Sequence, residues 1–116
     1  MTTAQPQTQR QMLNPRAEDA QGHALTLSAK LKVTVKRADN NQPVAGLPIT
    51  FKFSATGGAL GSAVTNTEGI ASVESGTQLN VIKDAASLAL GYDAVFDGDA
   101  EYEPFATHAR ILFGVI

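Results

Sequence analysis

Four carboxylates within eight residues are the most chemically suggestive feature of this 116-residue sequence. Calcium takes about six to eight oxygen ligands at about 2.3–2.6 Å, so closely spaced acids could supply part of its shell if the backbone curled inward. The stretch lacks the glycine and the glutamate that an EF-hand loop places at fixed positions. It reads DGDAEYEP over residues 97–104, and its acids are Asp97, Asp99, Glu101 and Glu103.

The same stretch also fits a plain turn between two strands. Gly98 permits the turn, and Asp97 and Asp99 can accept backbone N–H groups within it. Tyr102 can close the end of a hydrophobic core, as a tyrosine does at the corner of many β-sandwiches. Pro104 ends one strand pairing and starts the last strand. We therefore predict a turn and no metal site, with a calcium loop as the alternative.

The remaining reactive side chains form no recognisable catalytic pattern. His23 and His108 are the two histidines, and they fall on different strands or strand ends, so we predict two exposed surface side chains. No serine occupies a G-x-S-x-G motif. The glycine-rich segment 56–63 lacks the lysine of a phosphate-binding loop. Cysteine is absent, which excludes thiol catalysis, disulfides and thiolate zinc sites. The sequence predicts no catalytic, cofactor-binding or metal-binding residue, and no cofactor.

Composition excludes two classes of partner. With 43% apolar and 17% charged residues the chain is globular, and its net charge is −2. Lysine and arginine are spread along the chain except at 30–37, which predicts no nucleic-acid binding. No run approaches the roughly 18 apolar residues that span a membrane, so we predict no membrane insertion. If Met1 is the natural start, the N-terminus lacks a secretory signal and the protein is made in the cytoplasm.

Alternating hydrophobicity indicates the elements that must position these residues. Over 25–36, apolar residues occupy every second position and polar ones fill the gaps, which describes a strand with one buried face. Three lysines on its wet face would discourage edge-to-edge association. Similar but shorter patterns, separated by Gly, Pro, Asn and Asp, occur at 47–53, 60–65, 70–74, 88–96 and 107–115. Residues 77–82 fit a strand or an extended loop, and 83–87 a turn or one helical turn.

These patterns predict an all-β fold, an antiparallel β-sandwich or barrel of about seven strands. Residues 23–116 form the sandwich domain. Residues 1–22 are polar and glutamine-rich, which predicts a flexible N-terminal arm, although Met12 and Leu13 could form a short first strand within 10–14.

Three segments, in order, resemble bacterial immunoglobulin-like (Big) domains. QPVAGLPITFKF at 42–53 is similar to their second-to-third-strand junction, and TNTEGIASV at 65–73 to a turn and the strand after it. YDAVFDGDAEYEP at 92–104 is similar to a segment near the C-terminal end of these domains. The resemblance covers about residues 22–116. The segment KDAASLALGYD at 83–93 departs from it, because the proline of the usual turn is missing.

The resemblance implies an all-β, immunoglobulin-like antiparallel β-sandwich of about seven strands with Greek-key connections. Such a sandwich would serve as a non-enzymatic spacer, display or adhesion module, of the kind found in bacterial surface proteins and phage virions. The leading hypothesis is an accessory bacteriophage virion protein, a capsid decoration or tail-associated protein, located in the virion and attached through its N-terminal arm to a protein partner. The alternative is an immunoglobulin-like domain of an adhesin on the bacterial cell surface. A carbohydrate-binding module is less favoured, because tryptophan is absent. Leu112 and Ile116, on the outward phase of the last strand, could mark a docking surface.

Overall fold

The computed structural model describes residues 10–23, 28–74 and 90–113, and the regular structure within these ranges is entirely β. Each terminal strand is interrupted at one residue, Asp19 or Arg110, so the nine segments correspond to seven strands. In the described ranges no helix is long and apolar enough to cross a membrane. The segments are β1 (Leu13–Glu18), β2 (Ala20–His23), β3 (Ser28–Arg37), β4 (Pro48–Phe53), β5 (Ala59–Val64), β6 (Ile70–Glu74), β7 (Tyr92–Phe96), β8 (Phe105–Ala109) and β9 (Ile111–Phe113).

The strands form two sheets that pack face to face as an immunoglobulin-like β-sandwich. The first sheet contains β1, β2, β3, β6 and β9, with β3 in the middle, and the second has the order β5-β4-β7-β8. The chain changes sheet between β3 and β4, between β5 and β6, and between β6 and β7. These crossings are the Greek-key connectivity of a sandwich, so the predicted fold class is confirmed.

One strand pair departs from the predicted antiparallel pattern. β2 and β9 run parallel, with Ala20 opposite Ile111 and Gly22 opposite Phe113. The last strand begins in the second sheet as β8 and joins the first sheet as β9. The first and last strands therefore run side by side and close one edge of the sandwich.

The core lies between the sheets and is built from alternate residues of each strand, as the period of two predicts. On β3, Leu31, Val33 and Val35 are completely buried, and the positions between them are at least partly exposed. The rings of Phe51 and Tyr92 pack against each other with centroids 6.0 Å apart. The inward residues of the three central strands are Leu31, Val33, Val35, Ile49, Phe51, Phe53, Tyr92, Ala94 and Phe96.

The expectation about the lysines of β3 is wrong in one respect. β3 pairs with β1 and β2 on one side and with β6 on the other, so it is a central strand and has no free edge to protect. Lys32 instead lies opposite Glu18 on β1, with 3.6 Å between amine and carboxylate. The lysines therefore keep the outer face of the first sheet charged.

The predicted arm extends too far along the chain. Residues 13–18 pair with β3 over six positions, and residues 20–23 pair with β3 and β9. Leu13, Pro15 and Ala17 alternate toward the core, but Pro15 and the small Ala17 give a weak hydrophobic signal. Pro15 is tolerated because β1 pairs with a single neighbour, so only every second amide is needed. Residues 1–9 lie outside the described ranges, as do 77–82 and 83–87.

The turn before β6 explains one glycine directly. Gly69 has a φ of 77°, and a Cβ at this position would collide with the backbone carbonyl of Val35. The same backbone approach brings the Val35 amide to 2.7 Å from the Gly69 carbonyl oxygen, which fixes the turn against β3. Asn66 caps the turn, since its side-chain oxygen accepts the amides of Glu68 and Ile70. Glycine adopts this positive φ at low steric cost because it has no Cβ.

Candidate functional site

The acidic stretch between β7 and β8 is a turn organised by one of its four carboxylates. Asp99 Oδ1 accepts the backbone amides of Glu101 and Tyr102 at 2.8 and 2.7 Å. The Asp99 amide in turn donates to the Tyr102 carbonyl oxygen at 3.0 Å. Gly98 has a φ of 88° and lies against Pro104, where a side chain would be crowded. The predicted role of aspartate in shaping the turn is therefore carried by Asp99.

The other acids of the stretch do not converge on a cation site. Asp97 and Glu101 are exposed, and Glu103 is half-buried. Within 10–23, 28–74 and 90–113, no three His, Asp or Glu side chains are grouped so that they could hold a metal ion. One carboxylate oxygen of Asp99 is already engaged by two amides, which reduces what the loop can offer a cation.

The chain just before β1 is fastened to this turn. The Gln11 amide donates to the Glu101 carbonyl oxygen at 2.7 Å, and the Glu103 amide donates back to the Gln11 carbonyl oxygen at 3.0 Å. The Gln11 side chain accepts a hydrogen bond from Arg37 at 3.0 Å. Arg10 reaches the Asp99 carbonyl oxygen at 3.5 Å. Residues 10 and 11 are thus part of the sandwich, and they are held by hydrogen bonds to the acidic turn.

Tyr102 packs against the core as predicted, and the tyrosine whose hydroxyl joins the two sheets is Tyr92. Tyr102 is half-buried and packs on the edge of the core. Tyr92 is completely buried on β7 in the second sheet, and its hydroxyl contacts the backbone of the first sheet at the Glu18 carbonyl and, at 3.2 Å, the Lys32 carbonyl. Burial raises the pKa of Tyr92 to about 12. The phenol therefore stays neutral and bridges the two sheets.

A serine, an aspartate and a histidine meet on the outer face of the second sheet. Ser54 follows β4, Asp93 lies on β7, and His108 lies opposite Asp93 on β8. The Ser54 hydroxyl donates to Asp93 Oδ1 at 2.8 Å. His108 Nδ1 is 2.9 Å from that hydroxyl oxygen and 3.0 Å from the same carboxylate oxygen. These residue types are those of a hydrolase triad, so their connectivity decides whether catalysis is chemically reasonable.

The connectivity does not match a triad. In a Ser-His-Asp triad the aspartate binds one ring nitrogen of the histidine and the serine binds the other, so that a proton passes from serine to histidine. Here Ser54 and Asp93 share the same nitrogen of His108, and the serine hydroxyl donates to the carboxylate. Partial burial of Asp93 opposes its ionisation, but the hydrogen bonds from His108 and Ser54 outweigh it and lower the Asp93 pKa. The cluster is a hydrogen-bonded surface triangle without an activated nucleophile.

Sequence reasoning missed this cluster. It places His108 on the outward phase of the last strand, and the structure confirms an exposed side chain there. The sequence gives no sign that Asp93 and Ser54 lie beside it, because the three residues are separated by 39 and 15 positions. The strand register brings them together, and a register cannot be read from alternation alone.

A second polar cluster holds the closed edge of the sandwich. Asp19 and Arg110 are the two residues that interrupt the terminal strands. Asp19 accepts the Arg110 amide at 3.0 Å and its guanidinium at 2.9 Å, while the Ala20 amide donates to the Arg110 carbonyl oxygen at 2.8 Å. The hydrogen bond from the Arg110 amide, followed by the one from its guanidinium, lowers the Asp19 pKa. The side chains of His23 and Leu112, and all of Ile116, lie outside what the structure describes.

The outer faces of the two sheets differ in charge. The first carries bases and acids on three adjacent strands, namely Arg16, Glu18, Lys30, Lys32, Lys36 and Glu74. The centre of the second carries small uncharged side chains, namely Pro48, Thr50, Ser62, Val64, Val95 and Ala106. Val64 is 61% exposed. A surface for other molecules is therefore better provided by the second sheet than by the first.

Comparison of the chain with protein-family models, with curated proteins and with solved structures found no match.

Proposed function

We propose that this protein is a non-enzymatic structural or interaction module. The observation that carries the proposal is the hydrogen-bonding pattern of Ser54, Asp93 and His108. These are the residue types of a catalytic triad, but their hydrogen bonds do not activate the serine as a nucleophile. The acidic turn is likewise used to hold the backbone at Gln11. The polar groups of the acidic turn serve the fold, and those of the surface triangle bond to one another, which leaves the rest of the outer faces for contacts with other molecules.

We further propose that the partner is a protein of a bacteriophage particle, and that the chain is an accessory virion protein. The three segments that resemble Big domains support this proposal, because such domains act as display and adhesion modules. Residues 1–9 support it in a second way. They are covalently joined to Arg10, which is bound at the acidic turn, so any contact they make with a particle begins at that end of the sandwich.

The structure decides where a truncation must stop. Deleting residues 1–20 would remove β1 and its pairing with β3, so loss of binding by that variant would have no clear meaning. Deleting residues 2–9 leaves Arg10 and Gln11 in place. A matched control replaces 2–9 by a glycine-serine stretch of the same length, which keeps the chain length and removes the side chains.

We expect the tagged full-length chain to co-purify with phage particles from its native source and both altered chains to be lost from them, while all three unfold at the same temperature. Binding by both altered chains would show that residues 2–9 carry no attachment. If the full-length chain is absent from particles and fractionates with the cell envelope, the virion proposal fails and the surface adhesin is the better explanation.

A further inference from the structure

The outer face of the second sheet combines an uncharged centre with Lys52 and Asp93 beside it, where one carboxylate oxygen of Asp93 also contacts Ser54 and His108. Thr50 lies opposite Ser62 on β5 and opposite Val95 on β7, and Val95 lies opposite Ala106 on β8. One pleat along, Lys52 lies opposite Asp93. Among the ion pairs of the described residues, Lys52 takes part in none. On the outer face of the first sheet, by contrast, Lys32 forms an ion pair with Glu18.

The register of β4 and β7 makes this face complementary to itself. A two-fold axis that runs along the strands midway between β4 and β7 would place each residue of β4 over its register partner on β7 of a second copy. Thr50 would then face Val95, and Lys52 would face Asp93, twice over because the contact is isologous. β5 would face β8 in the same way, so Ser62 would lie over Ala106. No like charges meet in this arrangement.

We propose that a second copy of this chain docks on this face, forming a two-fold dimer with the two β5-β4-β7-β8 sheets packed against each other. Small side chains at the centre let the sheets approach closely, and two Lys52–Asp93 pairs at the rim fix the register. This self-association is independent of the proposed virion function and of residues 1–9.

The size of the face limits the strength of the dimer. Four strands about 4.8 Å apart and five residues of about 3.3 Å each give a flat area of about 320 Å² per copy. Two such faces fall below the roughly 1,200 Å² that stable complexes bury. The dimer is therefore weak, and it forms in the micromolar to millimolar range rather than at nanomolar concentration.

Sedimentation velocity over about 10 µM to about 1 mM, the range expected of an interface this small, tests the proposal on the full chain. We expect a monomer–dimer equilibrium that Thr50→Glu weakens at least tenfold, because it places a charge on the uncharged centre. Thr34→Glu is the matched control, since it puts the same change on the central strand of the other sheet. Thermal unfolding of each variant shows that it is folded.

A charge exchange tests the register itself. Lys52→Glu would set acid against acid, and Asp93→Lys would set base against base, so each variant alone should lose association. Mixed in equal amounts, they should form a heterodimer as strong as the wild-type dimer within about threefold, because both rim pairs are opposite in charge again. A wild type that is monomeric throughout the range, an equal effect of both threonine substitutions, or a mixture that stays monomeric would each overturn the proposal.

Discussion

Replacing Tyr92 by phenylalanine tests how the two sheets are held together. The ring stays buried against Phe51, so the substitution removes the hydroxyl and leaves the packing in place. A hydrogen bond contributes a net of about 0.5–1.5 kcal/mol, and a buried carbonyl left without its donor costs about 1–3 kcal/mol. The hydroxyl contacts the Glu18 and Lys32 carbonyls across the core. We expect a loss of about 1–2 kcal/mol in the free energy of unfolding, or about 4–10 °C in Tm.

Equilibrium unfolding in urea measures this loss as a lower midpoint at unchanged slope. Tyr102→Phe is the matched control, because Tyr102 is half-buried at the edge of the core, and we expect a change within about 0.5 kcal/mol. If Tyr102→Phe costs as much as Tyr92→Phe, the assignment of the sheet-bridging tyrosine is wrong. A Tyr92→Phe variant as stable as the wild type would show that the hydroxyl contributes nothing.

The same tyrosine gives the protein an alkaline limit. Its folded-state pKa, about 12, is above the value of about 10 in an unfolded chain, so folding favours the protonated phenol. The stabilisation is complete below pH 10 and is lost as the pH rises through 12. We expect unfolding between these values to be less steep in pH for Tyr92→Phe than for the wild type, measured by circular dichroism at fixed urea concentration. An unchanged pH profile would contradict this linkage.

Three further substitutions, two of them with a control substitution, test the turns and the closed edge. Gly69→Ala should lower the free energy of unfolding by more than about 2 kcal/mol because of the backbone collision. Gly46 also has a positive φ but open space around it, so Gly46→Ala should cost about 1 kcal/mol. Urea midpoints compare the two variants, and equal losses would contradict the collision. Asp99→Ala should cost about 1 kcal/mol and Asp97→Ala almost nothing, by the same assay. Asp19→Asn should make stability fall less steeply as the pH drops below 3.8. The pKa of Asp19 is lower in the folded protein, so the ionised carboxylate stabilises the fold above that pH and this stabilisation is lost on acidification. An acid transition identical to that of the wild type would refute this.

The fold was within reach of the sequence because its central strands are strongly patterned. Leu31, Val33 and Val35 are completely buried on β3, and β6 begins and ends where the sequence places it, at 70 and 74. The first strand, which the sequence suggested only as a short possibility within 10–14, was hard to recognise for a physical reason. Its inward positions include Pro15 and Ala17, which bury little apolar area, and its stability comes from pairing with β3. Local composition cannot report such pairing.

The two tyrosines also show what local patterning can predict and what depends on tertiary structure. Tyr92 and Tyr102 both sit near turns in the C-terminal part of the chain, and a sandwich corner suits either by type. Tyr92 is followed by buried residues at every second position, so alternation alone places it inside. Its contact with Glu18 and Lys32, however, depends on the distance between the sheets, which no local pattern contains.

By itself, the sequence determined that the chain is all-β, which residues of the central strands face inward, and where glycine-dependent turns such as the one at Gly69 occur. Period-two burial and positive φ are local properties, so they are written into neighbouring residues. The tertiary structure alone decided that Ser54, Asp93 and His108 touch, that Asp19 meets Arg110, and that Lys52 lies beside Asp93. Those contacts join residues far apart in the chain, and strand register and sheet pairing set them.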